Sequence, residues 1–174
     1  MGNYSMAKTM FGHLTKYKII FVTGSQRSGT QICTKMISLD TKRKAFSENN
    51  YSNDIKTFYN LINRYSNDFV IQCPEFVWDI INFNSENNLV IYVKRTIEDV
   101  VKSMKIAHYN PTQDHVTRYG NLSPEELLIA KYEKWKIDRK HIINSLEIKY
   151  ESLKDHPAWV PKEMRHLFDL KTLV

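Results

Sequence analysis

Lys18–Met36, KIIFVTGSQRSGTQICTKM, is the stretch whose reading decides the fold. It opens with the apolar run Ile19–Val22, suited to a strand buried on both faces of a parallel sheet. A loop bounded by glycines follows, Gly24-Ser25-Gln26-Arg27-Ser28-Gly29-Thr30, and beyond it Ile32, Cys33, Met36 and Ile37 recur at helical spacing. Strand, glycine-bounded loop and helix form the architecture of a phosphate cradle. Successive backbone amides turn inward, and the helix N-terminus adds its partial positive charge. In nucleotide hydrolases this loop reads GxxxxGK followed by Ser or Thr, and the lysine reaches the outer phosphates. Thr30 stands in that lysine's place here, and the loop's cation is Arg27. The loop is therefore expected to hold an anion, though not in the manner of an ATPase.

The composition sets the frame around this loop. With 174 residues, 42% of them hydrophobic and 12% aromatic, the chain makes one globular domain with a real core. Residues 1–16 read as a loosely held leader with a short helical turn, and residues 17–174 as the domain. The net charge of +6 suits a polyanionic ligand. No basic run of nucleic-acid type accompanies it; the densest cluster, Lys42-Arg43-Lys44, reads as a solvated turn. No nucleic-acid partner is expected. Cys33 and Cys73 make neither a disulfide framework nor a zinc spacing, so reduced thiols in a cytoplasmic setting are expected. There is no signal-peptide core and no apolar run long enough to span a membrane, so no membrane partner is expected.

Further along, Arg43–Ser47 predicts a short strand ending at Ser47-Glu48-Asn49-Asn50. Ile55, Phe58, Tyr59, Ile62 and Tyr65 give one buried face to a helix over 53–65. Phe69–Gln72 predicts a strand closed by Pro74, and Phe76–Phe83 a short helix. Asn88–Lys94 is the strongest strand pattern, and Thr96-Ile97-Glu98-Asp99 opens a helix with capping-box chemistry that runs to about Ala107. His108–Gly120 is a polar loop long enough to serve as a lid. Ser123-Pro124-Glu125-Glu126 starts a helix carrying Leu128, Tyr132, Trp135 and Ile142 on one stripe. Leu146–Tyr150 reads as the last strand and Trp159–Phe168 as the last helix. Alternating strands and helices predict a single three-layer α/β domain: a central parallel sheet of about four to five strands with helices on both faces.

Ligands of open parallel sheets bind beyond the carboxyl ends of the strands. The loop at 24–30, Ser47-Glu48, Cys73-Pro74-Glu75 and Arg95 with its following helix should therefore converge. At these places the sequence resembles a family. Arg27-Ser28-Gly29-Thr30 after a strand is similar to the 5′-phosphosulfate loop of sulfotransferases, whose sulfate donor is 3′-phosphoadenosine-5′-phosphosulfate (PAPS). Arg95, Asp99, Val100 and Ser103 keep the spacing of that family's 3′-phosphate motif, R-D-P-x-D-V-x-x-S. Tyr150-Glu151-Ser152-Leu153 resembles its Y-E-x-L strand end. Asp155-His156-Pro157 and Leu167-Phe168-Asp169-Leu170 then stand where the family has a proline loop and an F-L-G-L helix end.

The chain thus looks like a short member of the P-loop sulfotransferases, with a core similar to the tyrosylprotein and carbohydrate enzymes. The resemblance implies a P-loop nucleotide-binding domain with PAPS as co-substrate and no metal. It implies that Ser25, Gln26, Arg27, Ser28, Gly29, Thr30 and Gln31 hold the 5′-phosphosulfate. Arg95 and Ser103 would hold the 3′-phosphate, and Tyr150 would contact the nucleoside or merely finish the strand. Arg27 would also stabilise the leaving phosphate, and Glu48 falls at the general base of the tyrosylprotein enzymes, with Glu75 in reserve. His108 and His115 read as surface residues. Several positions depart from the pattern. Gln31 replaces a second threonine, Thr96-Ile97 replaces Asp-Pro, and Gln72 replaces a basic residue. The glycine-rich C-terminal segment of cytosolic members is absent. A small molecule, carbohydrate or peptide would be the acceptor. A P-loop nucleotide kinase or NTPase, or a silent protein binding PAPS or its product 3′-phosphoadenosine 5′-phosphate (PAP), are the rival readings.

Overall fold

Alternate side chains of the first strand, β1 (Ile19–Gly24), enter two different apolar clusters. Ile19 and Phe21 join Phe58, Phe69, Phe76 and Trp135 on one face. Ile20 and Val22 join Cys33, Met36 and Ile37 on the other. Every residue of β1 is buried, as a strand covered on both faces requires. The computed structural model describes residues 9–52, 54–107 and 120–161.

Four further strands complete the sheet: β2 (Lys44–Phe46), β3 (Phe69–Gln72), β4 (Asn88–Lys94) and β5 (Ser145–Lys149). Their order is β2-β3-β1-β4-β5, and every neighbouring pair is parallel. In register, Ile20 lies between Val70 and Leu89. Helix α1 (Thr30–Thr41) covers one face through Cys33, Met36 and Ile37. Helix α2 (Ile55–Arg64) covers the other through Phe58. Trp135 of α4 (Pro124–Asp138) joins it there, and α3 (Ile97–Ile106) leans on α4 through Val100, Met104 and Leu128. The result is a three-layer α/β domain with an all-parallel five-strand sheet.

The caps follow the sequence. Thr96 Oγ1 accepts from the Asp99 amide at 3.3 Å, and Ser123 and Glu126 close a reciprocal box at 3.2 and 2.8 Å. Several expectations change. The helix expected over Phe76–Phe83 is instead a pair of 3-10 turns, Pro74–Phe76 and Ile80–Phe83. Phe76, Ile80 and Phe83 are buried, but so short a run gains too little from α-helical nucleation. Ile142 lies past the end of α4 and reaches the Trp135 cluster from the following turn. The leader is packed from Phe11 onward. Phe11 and Leu14 are core residues, and the Phe11 amide donates to Asp40 Oδ2 at 2.8 Å. Arg43 of the basic cluster pairs with Asp68 at 3.1 Å and caps the Thr15 carbonyl. The expected lid, with His108 and His115, lies outside the described residues apart from Gly120. Trp159–Pro161 is not helical, and the rest of the expected last helix also lies outside them. No helix among the described residues is long and apolar enough to cross a membrane.

Candidate functional site

The chain leaves β1 toward β2 on one side of the sheet and leaves β4 toward β5 on the other. A crevice therefore opens between the carboxyl ends of β1 and β4. Gly24 ends β1 at φ 147, and a Cβ there would sit 2.7 Å from the Val93 carbonyl oxygen, so only glycine lets the strands run this close. The loop then turns tightly, with the Ser28 amide donating to the Ser25 carbonyl at 3.1 Å. Arg27 adopts φ 66, a left-handed conformation that costs on the order of 1 kcal/mol in a non-glycine residue. Gly29 at φ 100 is the N-cap of α1, and no side chain caps the helix. The first amides of α1 are left to whatever enters the crevice.

The arginines from the two strand ends meet there. Arg95 Nη1 donates to the Arg27 carbonyl at 3.2 Å, and Arg27 Nε donates to Ser103 Oγ at 3.3 Å. The Arg95 guanidinium lies 4.4 Å from the centre of the Tyr150 ring, which packs against Trp159 at 68°. Tyr150 also rests on Gly29, where any Cβ would collide with its ring. Asp99 is occupied by the Thr96 hydroxyl at 2.8 Å and leaves Arg95 alone. Among the described residues neither arginine pairs with a carboxylate, and Arg95 Nε and Ser28 Oγ are buried without a hydrogen-bond partner. Both arginines, Ser103 and Tyr150 line one cavity of about 490 Å³, within the usual size of a small-ligand site.

No protein-family model and no curated protein matches this chain.

The same cavity contains Glu48, carried by the 3-10 turn Glu48–Asn50 after β2. Tyr51 anchors that turn: its ring is buried, and its hydroxyl donates to the Gln72 carbonyl at 2.6 Å. Each Glu48 oxygen meets an amide. Gln26 Nε2 lies 3.4 Å from Oε1, and Gln72 Nε2 lies 3.3 Å from Oε2. Gln72 Nε2 also donates to Thr30 Oγ1 at 3.1 Å. Burial raises the Glu48 pKa to about 7, and the Glu75 carboxylate adds to the rise. The Gln26 hydrogen bond and Lys131 oppose it. A carboxyl group poised there can accept a proton near neutrality.

Gly29, Thr30, Gln31 and Gln26 line the large cavity with Arg27. Ser25 and Ser28 instead line a smaller one of about 170 Å³ between the loop, α3 and α4. Glu75 is set back, 3.9 Å from Lys131 Nζ. Lys131 and Lys35 escaped the sequence reading. Lys35 lines the large cavity from α1, and Lys131 enters the Glu48 network from α4. Lys131 did leave a signal, a cation on the stripe between Leu127 and Trp135. Lys35 left none beyond its neighbour Met36.

Proposed function

We propose that the protein is a sulfotransferase of the P-loop type that uses PAPS. The single observation that carries this reading is that Arg27 and Arg95, from different strand ends, open on one cavity together with Ser103, Tyr150 and Glu48. The uncapped α1 and, among the described residues, the unpartnered Arg95 Nε and the lack of carboxylate partners for the arginines fit an anionic ligand. Arg27 and the amides of Gly29 and Thr30 hold the 5′-phosphosulfate and stabilise charge gathering on the phosphate oxygen, while the Ser28 amide, bonded to the Ser25 carbonyl, shapes the loop. Arg95 presents a planar fork to the 3′-phosphate beside the Ser103 hydroxyl, and Tyr150 faces the nucleoside. Bound PAPS supplies the sulfuryl group. Glu48 takes the proton of the acceptor hydroxyl or amine as that group attacks.

Calorimetric titration with PAP tests the reading. The wild-type chain is expected to bind, and Arg27→Ala and Arg95→Ala each to lose about ten- to a hundredfold in affinity, one charge-assisted contact apiece. Labelled PAPS should then pass its sulfuryl group to a member of a panel of sugar, phenol, amine and tyrosyl-peptide acceptors. Preference for ATP with Mg²⁺ over PAP would replace the reading with a nucleotide kinase. PAP binding without transfer to any acceptor would replace it with a silent binding protein.

A further inference from the structure

We infer that Lys131 is a positioning residue for Glu48, acting through the side chain of Gln26. The inference rests on Glu48 being the base of the proposed transfer.

Helix α4 carries Lys131 one turn after Leu127 and one turn before Trp135, both buried, so its side chain is driven inward. It is 1% exposed. An ammonium group so enclosed is costly unless it is paired and hydrogen-bonded. Its Nζ donates to Gln26 Oε1 at 2.9 Å and to the Pro74 carbonyl at 3.4 Å, and lies 3.9 Å from Glu75 Oε2. An ammonium has donors only, so the Gln26 amide must turn its oxygen to the lysine. Its Nε2 is thereby left to donate to Glu48. Turned over, the amide would set a carbonyl oxygen against the carboxylate. Lys131 does not line the cavity itself, so it orients the base without meeting the reacting atoms.

Charge acts in the same direction. Glu75, from the turn after β3, disfavours ionised Glu48, and Lys131, from α4, favours it. Tyr51 and Cys73 also face Glu48, and burial keeps both neutral. Arg27, Lys35 and Arg95 line the shared cavity. Two influences that hold Glu48 down, the Gln26 hydrogen bond and the lysine charge, both depend on Lys131, whereas the Gln72 amide at 3.3 Å does not.

The test is a titration of the Glu48 carboxyl carbon by NMR in protein labelled at glutamate, with the resonance assigned through Glu48→Gln. In Lys131→Met the midpoint is expected to rise by about one pH unit. In Gln26→Met, which keeps the ammonium, it should rise by less. The double variant should match Lys131→Met, because the lysine's loss already frees the amide. Unmoved midpoints in the single variants, or strictly additive shifts, overturn the inference. Should Lys131→Met fail to fold, an unmoved midpoint in Gln26→Met overturns it alone. Where transfer is measured, the acid limb of kcat/KM should follow the NMR midpoint. Absence of PAP binding and transfer in every variant would sink the proposed function, while the midpoints would still decide the role of Lys131.

Discussion

Arg27 Nε and Ser103 Oγ stand 3.3 Å apart across 76 positions of sequence. The first belongs to the loop leaving β1 and the second to α3 beyond β4, so the bond spans the crevice. It is exposed, and such a bond adds little to folding. Ser103→Ala is expected to leave the melting temperature almost unmoved. Affinity for PAP should fall about ten- to a hundredfold, the worth of one hydrogen bond to an ionised phosphate. Calorimetry beside thermal melting checks both halves.

Gly29→Ala should destabilise the fold as well as the site. The residue sits at φ 100, and the new methyl would meet the Tyr150 ring. Gly120 also has positive φ, at 73, but open space around it. Urea unfolding is expected to show a loss of about 1–3 kcal/mol for Gly29→Ala and a smaller one for Gly120→Ala. Equal losses would mean that the Tyr150 contact carries no weight.

Glu48 links stability to pH. Its folded pKa, about 7, lies above the ordinary 4.5 that the unfolded chain shows. A raised folded pKa stabilises the fold fully below the unfolded value, and that contribution is lost as pH rises through the folded one. The full shift corresponds to on the order of 3 kcal/mol, and less is expected because Glu48 is only partly buried. Glu48→Gln carries no such penalty. It should exceed wild type in stability at pH 8, with the advantage vanishing near pH 4. Transfer by wild type should fall below about pH 7, and the variant should lose it.

Cys33 and Cys73 are both fully buried, and burial drives both thiols far above their ordinary pKa. A thiol-reactive dye should find neither in the native protein and both after urea denaturation. Reaction of one thiol in native buffer would place the opening of its face among the low-energy motions of the fold.

Leu14→Ala tests the reach of the core toward the N-terminus. Leu14 is 3% exposed and packs in the cluster of Ile20, Met36 and Ile91. The substitution should cost about 2–5 kcal/mol in urea unfolding. A loosely held leader would lose almost nothing.

What the sequence determined by itself was local. The apolar runs Ile19–Val22, Phe69–Gln72 and Asn88–Lys94 announced buried strands, because a strand covered on both faces has few polar positions to spare. Ser123, Pro124 and Glu126 announced a helix start, because capping is settled within one turn. The burial of Phe11 and Leu14 was not legible, since their partners, among them Asp40 and Met36, lie far along the chain. The stripe from Leu127 to Trp135 hinted that Lys131 turns inward, but not at the carbonyl of Pro74 and the amide of Gln26 that receive it.

The tertiary structure alone decided that β4 lies beside β1 and β3 on the other flank. Strand order follows from which faces bury one another after the crossovers close, and no short run of residues records that. Through that order Arg95 meets Arg27, and Glu48 comes to rest between two amides from different strand ends.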